Sequence, residues 1–277
     1  MAPVGEYRLG DTVFSFSGRA VFVTGGTQGI GLAIAEAFAR AGADVAICAR
    51  TQSDIAKTCD VLEPLGSGAV HGIVADLADP EAPSAVFSEV VGHFSRVDVL
   101  VNNAGYGLYG LLEDTSEQDF RDLLETNVLG PQRAIRAALP HMRRQRAGHI
   151  VNVGSVVGKR GWPYHGAYAA SKFALTGLTQ SLRGELAGSG VSVSLVLPAT
   201  TASEFFASAS IVTPGYEPQA LGPVHTPIQV ARVIMRTVEH PSAEVNVVPV
   251  MRVAQMIAEA LPALAARVSE VYFRRFS

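Results

Sequence analysis

Cysteine, lysine and tryptophan are scarce in this chain of 277 residues, which has two Cys and a single Trp. Cys48 and Cys59 form no C-x-x-C pair, and no Cys/His cluster has metal-site spacing, so neither a disulfide framework nor a metal centre is expected. Both cysteines fall within apolar patterns and read as small core fillers. An excess of one charge is missing as well. The net charge is −3 and the basic residues are scattered, which argues against a nucleic-acid partner. There is no run of about 18 apolar residues, and the first residues lack the basic-then-apolar order of a secretory signal. A reduced, cytoplasmic setting is the expectation. What the chain does have is 48% hydrophobic residues and 27 glycines, a composition that suits one large globular domain with many tight turns.

Residues 1–17 show no strong period and are expected to form an arm or a short edge piece. Ala20 to Val23 then reads as a buried strand running straight into Thr24-Gly25-Gly26-Thr27-Gln28-Gly29-Ile30-Gly31. Beyond it Ile30, Ala33, Ile34, Ala37, Phe38 and Ala41 recur at helical spacing. A strand, a glycine loop and a helix in that order suit a cradle for a diphosphate, with a plain structural turn as the bland alternative. The glycines admit a tight turn and let the backbone N–H groups at the helix start approach the anion. The spacing is Gly-x3-Gly-x-Gly. A strand at 44–49 ends in Ala49-Arg50, and no acid follows until Asp54. An acid there would suit the ribose hydroxyls of NAD, whereas an arginine suits a 2′-phosphate. NADP(H) is favoured over NAD(H), with a solvated strand-end arginine as the plain alternative.

The alternation continues. Helices are expected at 52–65 and 80–95, strands at 69–74 and 97–101, and a long helical region at 117–146 interrupted by Gly130-Pro131 and Pro140. Further on come strands at 150–153, 191–197 and 245–248 and a helix at 229–238. Apolar strands alternating with helices argue an α/β fold, a doubly wound parallel sheet with helices on both faces in a single domain. Between the strand at 150–153 and the next helix stands Ser155, at a strand's carboxyl end, where such sheets hold their ligands. Tyr168 and Lys172 follow at i and i+4, on one helix face. A phenol with a pKa near 10 is a poor acid or base at neutral pH. An ammonium about 4 Å away would favour the phenolate by about 4 kcal/mol at an effective dielectric of 20. Proton transfer is the chemistry this suggests, with a half-buried Tyr beside a surface Lys as the bland alternative.

Assembled in order, TGGTQGIG at 24–31, Asp76-Leu77, NNAG at 102–105, Asn127 in NVLG, Ser155 and YAASK at 168–172 make the chain resemble the short-chain dehydrogenase/reductase family in its compact single-domain branch. The resemblance covers roughly residues 18–250. It implies a Rossmann-type fold and a centre of Ser155, Tyr168 and Lys172 supported by Asn127. Tyr168 would be the acid/base and Ser155 the hydrogen-bond partner of the substrate oxygen. Lys172 would contact the nicotinamide ribose and lower the Tyr168 pKa, and Asn127 would hold a water in the proton relay. Asp76 and Leu77 would meet the adenine, and Asn102, Asn103, Ala104 and Gly105 would line the cofactor. The family pattern after the sixth strand is Pro-Gly followed by a Thr. Here it reads Pro198-Ala199-Thr200-Thr201-Ala202-Ser203, which leaves the carboxamide contact open between Thr201 and Ser203.

The segment 199–226 carries prolines at 214, 218 and 223 and no clear period, the mark of a functional lid or of disorder. The family makes it a substrate lid. Tyr106, Leu108, Val156, Val157, Trp162, Tyr164, Phe205 and Phe206 neighbour the motifs and suit a pocket for a medium-to-large apolar carbonyl compound or alcohol. His165 is the titratable group among them, and Lys159-Arg160 is the exception that could bind an anion. From Met251, residues Val253, Ile257, Leu261, Leu264, Val268 and Val271 share one helical stripe, for packing on the body or a sister subunit, or for a membrane surface. A carbonyl-reducing oxidoreductase, homodimeric or homotetrameric by family analogy, is the expected function. A non-catalytic nucleotide-binding regulator and another Rossmann enzyme such as a methyltransferase are the alternatives.

Overall fold

The computed structural model describes residues 6–9, 12–202, 205, 208–220 and 224–274. The chain opens with an antiparallel hairpin, β1 (Glu6–Leu9) and β2 (Thr12–Ser15). Then follow β3 (Ala20–Thr24), α1 (Gly29–Arg40), β4 (Asp44–Ala49), α2 (Gln52–Leu62), β5 (Val70–Val74) and α3 (Ala82–Phe94). Next are β6 (Val99–Asn102), β7 (Leu108–Tyr109), α4 (Glu117–Leu124), α5 (Gly130–Gln145), β8 (Gly148–Val153) and α6 (Gly166–Glu185). The chain closes with β9 (Val191–Leu197), β10 (Ser210–Ile211), α7 (Pro227–Glu239), β11 (Glu244–Asn246), α8 (Pro249–Ala260) and α9 (Pro262–Phe273).

Seven strands form one parallel sheet in the order β11-β9-β8-β6-β3-β4-β5. The central strands β3 and β6 are buried along their whole length because both faces of the sheet are covered there. Alternation within β3 divides the core. Val21 and Val23 join Ile34 and Phe38 of α1 and Val230 and Ile234 of α7 on one face. Phe22 turns to the other face and meets Phe87 of α3 edge-on at 5.2 Å, beside Ala134 of α5 and Leu182 of α6. The expected N-terminal arm is the hairpin. It is pinned to the body by Phe14 and Phe16, both buried, with Phe16 against Phe38 at 4.8 Å. Strand order reverses between β3 and β6, and at their carboxyl ends that reversal opens the crevice where such sheets bind ligands.

Two expectations change. The helical region 117–146 is not interrupted: a π turn over Glu125–Leu129 carries α4 into α5, Pro131 occupies the first turn, and Pro140 lies inside the helix. The tail, expected as one helix, is two. Pro262 has no N–H and disfavours a helical residue before it, and Leu261 accordingly sits at φ −125°, ψ 64°.

Candidate active site

The glycine loop between β3 and α1 has the backbone its sequence demands. Gly25 and Gly29 adopt φ of +64° and +55°, where a side chain is strained. A Cβ at Gly31 would lie 2.0 Å from the Gly25 carbonyl oxygen and 2.5 Å from Asn103 Nδ2, so the loop closes on itself there. Asn103 Nδ2 donates to the carbonyls of Thr24 and Gly25 at 3.0 and 3.2 Å. Thr24 Oγ1 accepts from the backbone N–H groups of Asn103 and Ala104 at 2.9 and 3.0 Å. The two motifs are thus knitted into one floor. Gln28 before α1 is extended and makes no side-chain cap, which leaves the first helical N–H groups directed at whatever occupies the loop. Such a cradle fits a dinucleotide diphosphate.

A cavity of about 920 Å³ runs from this loop across the strand ends to the 199–226 segment. On its wall stand Gly25, Thr27, Gln28, Gly29, Ile30, Gly31, Arg50, Asp76, Leu77, Asn103, Ala104, Gly105, Pro198 and Thr201. Asn102 does not. Strand alternation turns its side chain into the protein, where Nδ2 donates to Asn152 Oδ1 at 2.8 Å. Ser203 and Phe206 lie outside the described residues.

At the far end, Ser155 follows β8 and opens a 3₁₀ turn, its hydroxyl accepting from the Val157 N–H at 3.3 Å. Tyr168 stands in the first turn of α6, 6% exposed, hydrogen-bonded to the Ser155 side chain. Lys172, one turn on, is equally buried. Its ammonium donates to the Val153 carbonyl at 3.0 Å and stands 5.8 Å from the Tyr168 ring centroid. Burial lowers its pKa to about 8. The expectation that Lys172 depresses the Tyr168 pKa is not what this geometry gives. Burial pushes the phenol well above its ordinary value, and the Ser155 hydrogen bond draws it only partly back.

Asn127, in the π turn, is fully buried and takes no part in the wall. Its Oδ1 accepts from the Tyr106 N–H at 3.0 Å, and its Nδ2 donates to the Tyr106 carbonyl at 2.9 Å and to Ser171 Oγ at 3.1 Å. It clamps the NNAG loop to α6.

Of the expected substrate residues, Tyr106, Leu108, Val156, Val157 and Phe205 line the cavity. Trp162 and Tyr164 do not. Trp162 packs against the outside of the Tyr109–Val157–Tyr168 cluster, and Tyr164 stacks on Tyr216 at 4.2 Å. Lys159 is held by Glu244 at 2.6 Å, away from any role as an anion site. Sequence reasoning missed Tyr109, whose ring meets Tyr168 at 5.7 Å and His165 at 4.8 Å. It sits on a two-residue strand, too short to carry a period. Among the described residues no group of His, Cys, Asp or Glu could hold a metal ion, and no helix is long and apolar enough to cross a membrane.

A doubly wound parallel sheet with a phosphate cradle at its reversal and a Ser–Tyr–Lys cluster beside it defines a dinucleotide-dependent oxidoreductase. A short chain dehydrogenase family model matches residues 19–211, and the chain belongs to that family of NAD(P)-dependent enzymes acting on CH–OH groups. It is similar to a ketoacyl reductase of Nostoc sp., with 31% identity over 84% of this chain and 79% of the relative. Among solved structures it resembles a short-chain dehydrogenase/reductase from Burkholderia phymatum in complex with NAD. That match has a TM-score of 0.82, 27% identity and coverage of 91% of this chain and 96% of the other. An alcohol dehydrogenase from Thermococcus sibiricus complexed with 5-hydroxy-NADP matches with a TM-score of 0.74, 28% identity and coverage of 82% and 95%.

Proposed function

We propose that this protein is an NADP(H)-dependent carbonyl reductase, interconverting a medium-to-large apolar ketone or aldehyde and its alcohol. The observation that carries the reading is the Tyr168 hydroxyl, buried and bonded to Ser155 at the inner end of a cavity that begins at the glycine loop. A bound nicotinamide supplies the hydride. The protein's own part is to orient the carbonyl and deliver a proton. Ser155 holds the substrate oxygen, and Tyr168 donates its proton to that oxygen as negative charge develops there. A phenol held protonated by burial is suited to the reductive direction. Lys172, fixed on the Val153 carbonyl beneath Gly105, presents its ammonium to the cofactor side. Asn127 acts indirectly, by holding Tyr106 and α6 together. Arg50, exposed on the wall at the end of β4, supports the 2′-phosphate assignment. Tyr106, Tyr109, Val157 and Phe205 supply the apolar walls that support the substrate assignment. Two free cysteines, Cys48 and Cys59, support a cytoplasmic enzyme.

The test is a spectrophotometric screen of ketones of rising size, with matched keto acids, run with NADPH and NADH in parallel. Bulky neutral ketones with NADPH should give the highest kcat/KM, and Tyr168→Phe should keep cofactor binding while losing at least about 10²-fold in turnover. Near-normal turnover of Tyr168→Phe would remove that residue from the mechanism. A preference for small or anionic substrates would overturn the substrate assignment.

A further inference from the structure

Surface helices normally turn their apolar stripe inward. In α8 and α9 the stripe faces out. The side turned to the protein carries Gln255, Ala258, Ala265 and Ser269, all partly buried. The opposite side carries Val250, Val253, Ile257, Leu264, Val268 and Val271, each between 52% and 64% exposed, with Met256 and Leu261 beside them.

The spacing of this face identifies its occupant. Steps of three and four residues, as in 250, 253, 257 and in 264, 268, 271, make the narrow seam of helices that pair with helices. The seam is also a palindrome. Counting outward from the Ala260–Leu261 bond, where α8 ends, Ile257 mirrors Leu264, Val253 mirrors Val268 and Val250 mirrors Val271. A two-fold interface requires such self-complementarity, each patch meeting its own copy. The charges agree. Antiparallel pairing brings Arg252 within one position of the partner's Glu270, whereas parallel pairing would set Arg252 on Arg252 and Arg267 on Arg267. A membrane-surface helix would instead be rich in basic residues along its polar side. Among the described residues the exposed charges here are Arg252, Arg267 and Arg274 against Glu259 and Glu270.

We infer that α8 and α9 form a homotypic interface, with α8 of one copy lying antiparallel on α9 of a second copy about a two-fold axis. The contact reaches the active site through one chain of rings. Phe273 of α9 lies 5.6 Å from Tyr164, which stacks on Tyr216 of the segment over the cavity.

The experiment uses the full chain in two parts. Sedimentation of Ile257→Asp with Leu264→Asp should show assembly falling by one step, or a dissociation constant raised by at least about tenfold. Circular dichroism should match the parent, since both positions are exposed. Separately, Val253→Cys and Val268→Cys are made as single variants and oxidised alone and mixed. Disulfide-linked dimers should form in the mixture and not from either variant alone. Cross-linking of each variant with itself would overturn the antiparallel arrangement. Unchanged assembly of the charged variant would overturn the interface, and its loss of binding to phosphatidylserine vesicles with assembly intact would assign the face to lipid instead.

Discussion

Lys172 is a buried cation with one fixed partner, the Val153 carbonyl oxygen 3.0 Å away. Burial lowers its pKa from 10.5 to about 8. Below about pH 8 the fold therefore carries a proton that the site disfavours. That penalty is full below the folded value and disappears as pH rises past the unfolded one, because the unfolded chain binds more protons in between. At pH 7 it is worth about 3 kcal/mol, set against the acceptor that its removal would leave unpaired at Val153, about 1–3 kcal/mol. Lys172→Met should therefore leave Tm at pH 7 unchanged or higher while turnover falls at least about 10²-fold, a trade of function against stability. Calorimetry beside steady-state kinetics checks it, and a clear drop in Tm would show that the ammonium stabilises the fold. Arg50 calls for a different measurement. Arg50→Asp replaces a phosphate partner with a ribose partner and adds repulsion, so the NADPH/NADH ratio of kcat/KM should shift toward NADH by at least about tenfold. A parent enzyme that already prefers NADH would refute the assignment of Arg50.

The segment 199–226 shows how short elements escape a reading by period. Its ends are tied where Ala202 N–H donates to the His225 carbonyl at 2.7 Å and His225 N–H to the Thr200 carbonyl at 2.8 Å. Its middle forms β10, parallel to β7, with Ser210 opposite Leu108. Thr213 pins it further. Its Oγ1 accepts from the Leu111 N–H at 2.7 Å and donates to Asp114. Gly110 makes room, since a Cβ there would lie 2.4 Å from Val212 Cγ2 at a φ of +151°. Thr213→Val keeps the shape and removes both bonds. It should raise KM several-fold with kcat nearly unchanged and Tm within a few degrees, because a loosened lid costs binding more than chemistry. A fall in kcat at constant KM would point instead to distortion around Tyr168. Neither β7 nor β10 was legible beforehand, for two residues carry no alternation. The long strands were, since burial on both faces makes them continuous apolar runs. Ser155, Tyr168 and Lys172 were legible because strand ends and helical spacing fix where they stand. Trp162 and Tyr164 were not, because a loop's sequence says nothing about which way its side chains turn. The tail teaches the same point at larger size: its period shows which residues share a face, not where that face looks.

At the scale of the whole molecule, buried histidines contribute to the response to acid. His149 on β8 is 5% exposed, its Nε2 within 2.8 Å of Ser194 Oγ, and burial lowers its pKa to about 4. Burial also lowers His165 and His225 from their ordinary value. His149 is neutral in the folded protein above about pH 4 and gains a proton when the chain unfolds in acid. For His149 the unfolded chain binds the extra proton between pH 6.5 and about 4. Its contribution is therefore complete above 6.5, is lost as pH falls through that window, and levels off below about 4. The loss amounts to about 3 kcal/mol, several degrees of Tm for a protein of this size. Glutamine offers an amide near the position of Nε2 and has no proton to gain. His149→Gln should cost about 1 kcal/mol at pH 7.5 for the imperfect fit in a packed sheet and should flatten the fall of stability toward pH 4. Thermal unfolding of both proteins at half-unit steps from pH 7.5 to 4 makes the comparison. Curves that stay parallel over that range would show that His149 keeps its ordinary pKa in the fold, and would shift the acid response to His165 and His225.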